Sequence, residues 1–366
     1  MKILVINTVP TNKNGISNVI FNYLQMIDHR YLQMDIVMIN DADQYYKDIL
    51  VKHHCRFFVI PRSGKTVIKY FTNLVRLIRE QKYDAVHIHG NSHSMVLDLF
   101  AAFCGGCHVR ITHSHNTTCK FIIVHKLLTP FFNMLYTHGL ACGINAGKWL
   151  YGKHPFTVIN NGVDTMRFIF NESKRNVLRK KMGFTDDTIL LGNVGHFFGN
   201  VKNQTFIIKI FNELYRRDKR YRLCLIGDGL LRINAVHEVE LLGLKDNVTF
   251  TGDIENVEDY LNCIDLIVMP SLYEGLPLTL IEEQANGLQC VCSDAITCEV
   301  DKTGNVKFVS LKLSAVEWAD EIQKFYKKSD RILRSKKAIV DIKKAGYSIY
   351  EEAQKLSSYY KNIIHT

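Results

Sequence analysis

Short apolar runs alternate with longer amphipathic stretches along most of this chain. Residues 2–8 (KILVINT), 34–40 (MDIVMIN), 55–61 (CRFFVIP), 85–90 (AVHIHG), 108–114 (HVRITHS), 139–145 (GLACGIN) and 156–160 (FTVIN) read as buried strands. A polar, charge-rich connection follows from Asp164 to about Thr185. The alternation resumes at residues 188–195 (TILLGNVG), 221–229 (YRLCLIGDG), 247–252 (NVTFTG), 265–270 (DLIVMP), 289–294 (QCVCSD) and 306–310 (VKFVS). Strands separated by amphipathic stretches predict parallel sheets covered by helices on both faces. The expected class is α/β, with one Rossmann-like domain over residues 1–164 and a second over 165–345. Ligands of open α/β sheets bind beyond the strand ends, so the crevice where the two domains face each other is the expected site. The final stretch, 348–364 (SIYEEAQKLSSYYKNII), has helical spacing.

Composition narrows the class without naming a chemistry. At 366 residues and 47% hydrophobic content the chain can bury two cores of ordinary size. Its opening apolar run is too short for a signal peptide, and no stretch approaches the roughly 20 apolar residues that span a bilayer, so a cytoplasmic protein is expected. Ten cysteines in such a chain read as reduced thiols, and Cys104 and Cys107 lack the second pair that a zinc site needs.

The net charge of +10 is uneven. Lys47, Lys52, Arg56, Arg62, Lys65, Lys69, Arg76, Arg79 and Lys82 meet few acids and are interleaved with Phe57, Phe58, Tyr70 and Phe71. This basic part of the first domain suits peripheral contact with an anionic membrane at the inner face of the cell, or is a plain solvated face. Finger spacing, aromatic RNA-binding signatures and basic repeats are lacking, so nucleic acid is not an expected partner.

Candidate chemistry concentrates in residues 270–294, PSLYEGLPLTLIEEQANGLQCVCSD. Pro277 suits the first position of a helix, leaving the N–H groups of Leu278 and Thr279 to open it. Free N–H groups and the positive end of the helix dipole favour a phosphate, and Gly275 admits close backbone approach. Glu274 stays in the loop while Glu282 lies about 7.5 Å along the helix, so the two acids serve different parts of one ligand. A carboxylate can accept from two vicinal hydroxyls, and the simplest ligand with a diphosphate between two polyols is a nucleotide sugar.

This segment resembles the E-x7-E motif of retaining GT-B glycosyltransferases of family 4, the glycosyl transferases group 1. Residues 158–168 (VINNGVDTMRF) resemble the family's interdomain segment, and residues 192–204 (GNVGHFFGNVKNQ) its "VGR…KN" loop. Residues 84–90 (DAVHIHG), 110–116 (RITHSHN) and 142–152 (CGINAGKWLYG) resemble the subgroup that builds capsular polysaccharides and exopolysaccharides. The resemblance implies that residues 346–366 form a helix crossing back to the first domain. It assigns Gly15, His196, Lys202, Glu274, Gly275, Leu276, Leu278, Thr279 and Glu282 to donor binding, with Glu274, Lys202 and His115 catalytic. His89 and His113 fall on the acceptor side. The family usually has arginine where this chain has His196, a shorter and only partly charged group. Arg232, after the Gly227-Asp228-Gly229 turn, is another cation of that region.

Competing chemistries leave weaker traces. A dehydrogenase needs a G-x-G-x-x-G loop after the first strand, and the loop here supplies only Gly15. Asp41-Ala-Asp43 resembles a D-x-D metal motif but reads as a polar turn, and no divalent metal or other cofactor is expected. His87, His89, His113 and His115 form two H-x-H pairs whose members face one side of a strand and could bind metal, although the resemblance favours sugar contacts.

The expected reaction moves a hexosyl group from a nucleotide diphosphate sugar, with uridine the preferred base, to a saccharide or lipid-linked acceptor, with retention. A glycoside hydrolase would instead need two carboxylates facing one bond. A GT-B nucleotide-sugar epimerase and a noncatalytic sugar-nucleotide binding subunit are the remaining alternatives.

Overall fold

The computed structural model describes residues 1–12, 14–62, 64 and 66–364; Lys65 of the basic stretch lies outside them. The chain divides into two compact units, Met1–Gly162 together with Gly346–Thr366, and Val163–Ala345.

The first unit is built on a parallel seven-stranded sheet of β1 (Lys2–Asn7), β2 (Gln33–Met38), β3 (Phe57–Val59), β4 (Ala85–Gly90), β5 (Val109–Ser114), β6 (His138–Ala141) and β7 (Thr157–Val158). The spatial order is β3-β2-β1-β4-β5-β6-β7, so the winding reverses between β1 and β4. Ile3, Leu4, Val5 and Ile6 of β1 are all buried, as expected of a strand covered on both faces. Tyr70, Leu74 and Ile78 of the helix Val67–Gln81 and Leu99 of the helix Val96–Cys104 share one core with Leu4, Ile6, Val86 and Ile88. The run at residues 139–145 is strand only to Ala141, because Ile144 opens the helix Ile144–Tyr151.

The helix Ile349–Ile364 belongs to this unit, where it packs on the helix Gly15–Met26. Polar ties fix it. The Asn160 N–H donates to Glu352 Oε2 at 2.7 Å, and Asn160 Nδ2 donates to the Gly346 carbonyl at 3.0 Å. The Tyr23 hydroxyl donates to the Asn160 carbonyl. Gly162 has to be glycine here, since a Cβ would fall 2.6 Å from Ile349 Cα.

The second unit carries a parallel six-stranded sheet of β8 (Ile189–Val194), β9 (Tyr221–Ile226), β10 (Val248–Gly252), β11 (Leu266–Met269), β12 (Gln289–Ser293) and β13 (Val306–Val309). Its order is β10-β9-β8-β11-β12-β13, with the reversal between β8 and β11. Leu191, Leu223, Leu225, Val268 and Val291 form its core with Phe211 and Trp318.

The connection between Asp164 and Thr185 is more ordered than its polarity predicts, because it contains the helix Glu172–Lys181. Charge-assisted bonds hold this helix in place of an apolar stripe. Arg175 donates to the Asn262 and Cys263 carbonyls at 3.0 and 2.9 Å and to Asp265 Oδ1 at 2.5 Å, while Arg179 reaches Asp265 Oδ2 at 3.1 Å.

All ten cysteines are free thiols. Among the described residues no helix is long and apolar enough to cross a membrane.

Candidate active site

In the second unit the loops that follow β8 and β11 meet at the winding reversal, where open α/β sheets bind ligands. The β8 loop is fixed by backbone contact with the β9 loop. A Cβ on Gly227 would sit 2.4 Å from the Gly195 carbonyl oxygen, and one on Gly229 would sit 2.6 Å from the Phe197 carbonyl carbon. Phe197 N–H donates to the Asp228 carbonyl, and Leu231 N–H to the Phe197 carbonyl, both at 2.9 Å. Two further bonds join the β8 loop to the β11 loop: Leu272 N–H to the Val201 carbonyl at 2.8 Å, and Asn203 Nδ2 to the Pro270 carbonyl at 3.1 Å.

These constraints aim Lys202. Its stem runs along Gly195, where a Cβ would lie 2.9 Å from Lys202 Cγ, and its Nζ ends 2.6 Å from Glu274 Oε1. The approach is oblique, a charge pair without a directed hydrogen bond. Sequence reasoning gave these residues separate tasks; the structure joins them.

The helix Leu278–Ala285 starts three residues beyond Gly275. Pro277 is its N-cap, with φ −69° and ψ 111°, one position earlier than the sequence reading placed it. Its extended ψ takes it out of the helix, and its carbonyl accepts the Leu280 N–H at 3.1 Å. A proline cap has no side-chain acceptor, so the N–H groups of Leu278 and Thr279 precede the hydrogen-bonded ladder. Thr279 Oγ1 is buried without a partner beside them. Gly275 is exposed and Leu276 partly so, both in the loop that leads in.

Glu282 is half-buried, and burial raises its carboxyl to about 7 against the opposing pull of Arg167. Glu283 escaped the sequence reading. It is wholly buried, neither carboxylate oxygen has a partner, and burial pushes the group well above the usual carboxylate range, with Lys202 pulling the other way. The spacing of three from Leu280, itself buried, was the available signal. His196 is half-exposed, with Nδ1 3.9 Å from Asp253 Oδ1. Arg232 pairs with Asp228 at 3.3 Å.

In the first unit β4 and β5 pair with His89 opposite His113. Four histidine rings therefore cluster: the His87 and His89 centroids are 4.1 Å apart with tilted rings, and those of His113 and His115 are 4.4 Å apart and stacked. His89 Nδ1 and His115 Nε2 share a hydrogen bond of 2.8 Å, and the His115 N–H donates to Asn91 Oδ1 at 3.2 Å. Burial holds all four rings neutral, lowering His115 to about 4 and the other three well below the ordinary imidazole value. His87 Nδ1 meets the Tyr360 hydroxyl at 2.5 Å, while His87 Nε2 and both His113 nitrogens are buried without partners.

One nitrogen each from His87, His89 and His113 lies within 4.8 Å of the others, so this trio could hold a cation. A zinc ion about 2.1 Å from each nitrogen would need them drawn to about 3.4 Å apart.

Gly15 opens the helix Gly15–Met26, whose N-cap Asn14 accepts the Ser17 N–H at 3.0 Å. A Cβ on Gly15 would meet nothing within 4 Å, so the fold itself does not demand glycine there. Asp41 is salt-bridged to Lys47 at 2.7 Å, in keeping with a polar turn. Two other cations of the basic stretch are also committed: Arg56 to buried Asp35 at 2.5 Å, and Arg62 to buried Asp98 at 2.9 Å.

Comparison with known proteins agrees with this architecture. The chain is 32% identical over 325 residues to "Putative glycosyltransferase EpsF" of Bacillus subtilis (strain 168), covering 85% of this chain and 84% of that one. It is 24% identical over 302 residues to the Escherichia coli UDP-Gal:alpha-D-GlcNAc-diphosphoundecaprenol alpha-1,3-galactosyltransferase, covering 77% and 76%. The crystal structure of Anabaena HepE in complex with UDP and glucose matches with a TM-score of 0.78 over 99% of both chains, at 17% identity. Two parallel-sheet Rossmann-like units of this kind make up the GT-B fold of glycosyltransferases. The family profile described as Glycosyl transferases group 1 matches residues 188–328, and the chain belongs to that family and is a glycosyltransferase.

Proposed function

We propose that the chain is a retaining hexosyltransferase of family 4. It moves a sugar from a UDP-linked donor to a saccharide or lipid-linked saccharide, in capsule or exopolysaccharide synthesis at the cytoplasmic face of the membrane. The observation that carries this reading is the Lys202–Glu274 pair at the winding reversal of the second sheet, in the loops beside a helix start that lacks a side-chain cap. A cation and unladdered N–H groups suit a diphosphate, and an adjacent carboxylate suits sugar hydroxyls. The Escherichia coli relative, named for a UDP-galactose donor and a GlcNAc-diphosphoundecaprenol acceptor, supports the choice of donor and acceptor class.

In this reading the diphosphate takes Lys202, His196 and the N–H groups of Leu278 and Thr279. Gly15, Gly275 and Leu276 are the proposed backbone neighbours of the donor. Glu274 holds the hexose hydroxyls and Glu282 the ribose. His115 is the first unit's candidate for the transferred sugar, and His89 and His113 for the acceptor side. The acceptor oxygen bonds to the anomeric carbon on the face from which the diphosphate departs. The carbon–oxygen bond to phosphate breaks, and the leaving phosphate oxygen takes the acceptor proton. Basic side chains and helix N–H groups stabilise the departing charge, so the reaction proceeds without a divalent cation.

The test incubates the protein with UDP-hexoses and a lipid-linked acceptor in excess EDTA. Release of UDP only with acceptor, and an α-linked product by NMR, is the expected result. A new nucleotide sugar without acceptor would assign an epimerase; binding without turnover would assign a noncatalytic subunit.

A further inference from the structure

The helix Ile122–Leu135 of the first unit buries Phe132 and Leu135 in the core and sets His125 and Thr129 among polar partners on the same inward side. His125 Nδ1 accepts the His93 N–H at 3.2 Å, its ring stacks on Trp149 at 4.8 Å between centroids, and Thr129 Oγ1 meets His93 Nδ1 at 3.0 Å. The outward side carries large apolar residues beside Lys126. Ile123, Leu127, Phe131 and Met134 are 72%, 69%, 53% and 70% exposed, their spacing sets them in one stripe, and the N-cap residue Phe121 is 66% exposed as well. An ordinary surface helix carries polar residues on its outward side, and an exposed apolar stripe there marks an interaction surface.

Charge identifies the partner. No aspartate or glutamate occurs between Asp98 and Asp164, and the exposed Lys120 and Lys126 flank the stripe. The helix has 14 residues, about 21 Å of length against the about 30 Å of a hydrocarbon core, so it can lie on a bilayer but not cross one. We propose that this helix is the membrane-docking element: its stripe enters the headgroup boundary of an anionic bilayer, and its lysines meet lipid phosphates. The inference draws its purpose from the lipid-linked acceptor above, but its surface is independent of that reading.

Flotation of the full chain with phosphatidylcholine vesicles, with and without about 30% phosphatidylglycerol, tests it. The wild type is expected to float with the anionic vesicles and more weakly with the neutral ones. Leu127→Glu/Phe131→Glu, two exposed positions, should cut anionic flotation by about tenfold or more with an unchanged melting curve. Equal flotation of the variant would overturn the proposal, as would no flotation of the wild type. A wild-type dimer in light scattering that the variant abolishes, without vesicle binding, would give the face to a second copy. UDP titration calorimetry on both proteins reads the donor site separately, so loss of either reading leaves the other measurable.

Discussion

Lys202 Nζ lies 2.6 Å from Glu274 Oε1, so the cation assigned to the leaving group and the acid assigned to the sugar hold each other. A diphosphate that recruits Lys202 must compete with Glu274, and the released carboxylate is then available to the hexose. Glu274→Gln should leave UDP affinity equal or tighter while transfer falls about 100-fold. Lys202→Ala should weaken both. Calorimetry with UDP and initial transfer rates separate the outcomes, and weaker UDP binding by Glu274→Gln would contradict the competition.

Glu283 is buried with unpartnered oxygens, and its carboxyl is raised well above the usual range. A raised acid favours the folded state fully below its unfolded value, about 4.3, and that contribution is lost as pH climbs toward the folded value. Glu283→Met should therefore stabilise the protein at pH 8, by about 1–3 kcal/mol, and gain little near pH 4. Calorimetric melts at the two pH values check this.

Glu282, raised to about 7, sets two trends against each other. In the proposed donor site its ionised form accepts from the ribose hydroxyls, so UDP affinity should rise as pH passes through about 7. Its stability contribution runs the other way, falling over the same interval. Glu282→Gln should flatten both curves, and an unchanged affinity profile would remove Glu282 from the ribose.

His87 bonds the Tyr360 hydroxyl at 2.5 Å, and its other ring nitrogen has no partner. Tyr360→Phe strands the whole imidazole in the core, at a cost of about 1–3 kcal/mol. Hydrogen exchange over Ile349–Ile364 should quicken ahead of the rest of the first unit.

The central strands of both sheets were legible because parallel strands buried on two faces write themselves as continuous apolar runs, while the edge strand β3 kept its apolar run although Phe57 and Val59 are exposed. The helix Glu172–Lys181 was not, since arginines bonded to distant carbonyls leave no apolar period in the sequence. Glu274, Lys202 and the helix start at Leu278 were visible through spacing and resemblance, but their mutual contact depends on two loops stitched through Val201 and Leu272. Pro277 was placed one residue late, since a proline's fixed φ fits both a cap and a first turn, and only its ψ of 111° tells them apart. Glu283 was hidden by its charge, which ordinarily signals solvent.

The ties from Asn160 to Glu352 and Gly346 close the first unit with residues that follow the whole second unit. On the ribosome, at about 5–20 residues per second, the intervening chain takes about 10–40 s to appear. Throughout that interval Asn160 and the face of the helix Gly15–Met26 lack their cover. The portion of the polypeptide synthesised first is thus completed last, and a nascent chain stalled before residue 349 should be a client for chaperones even with its second unit already folded.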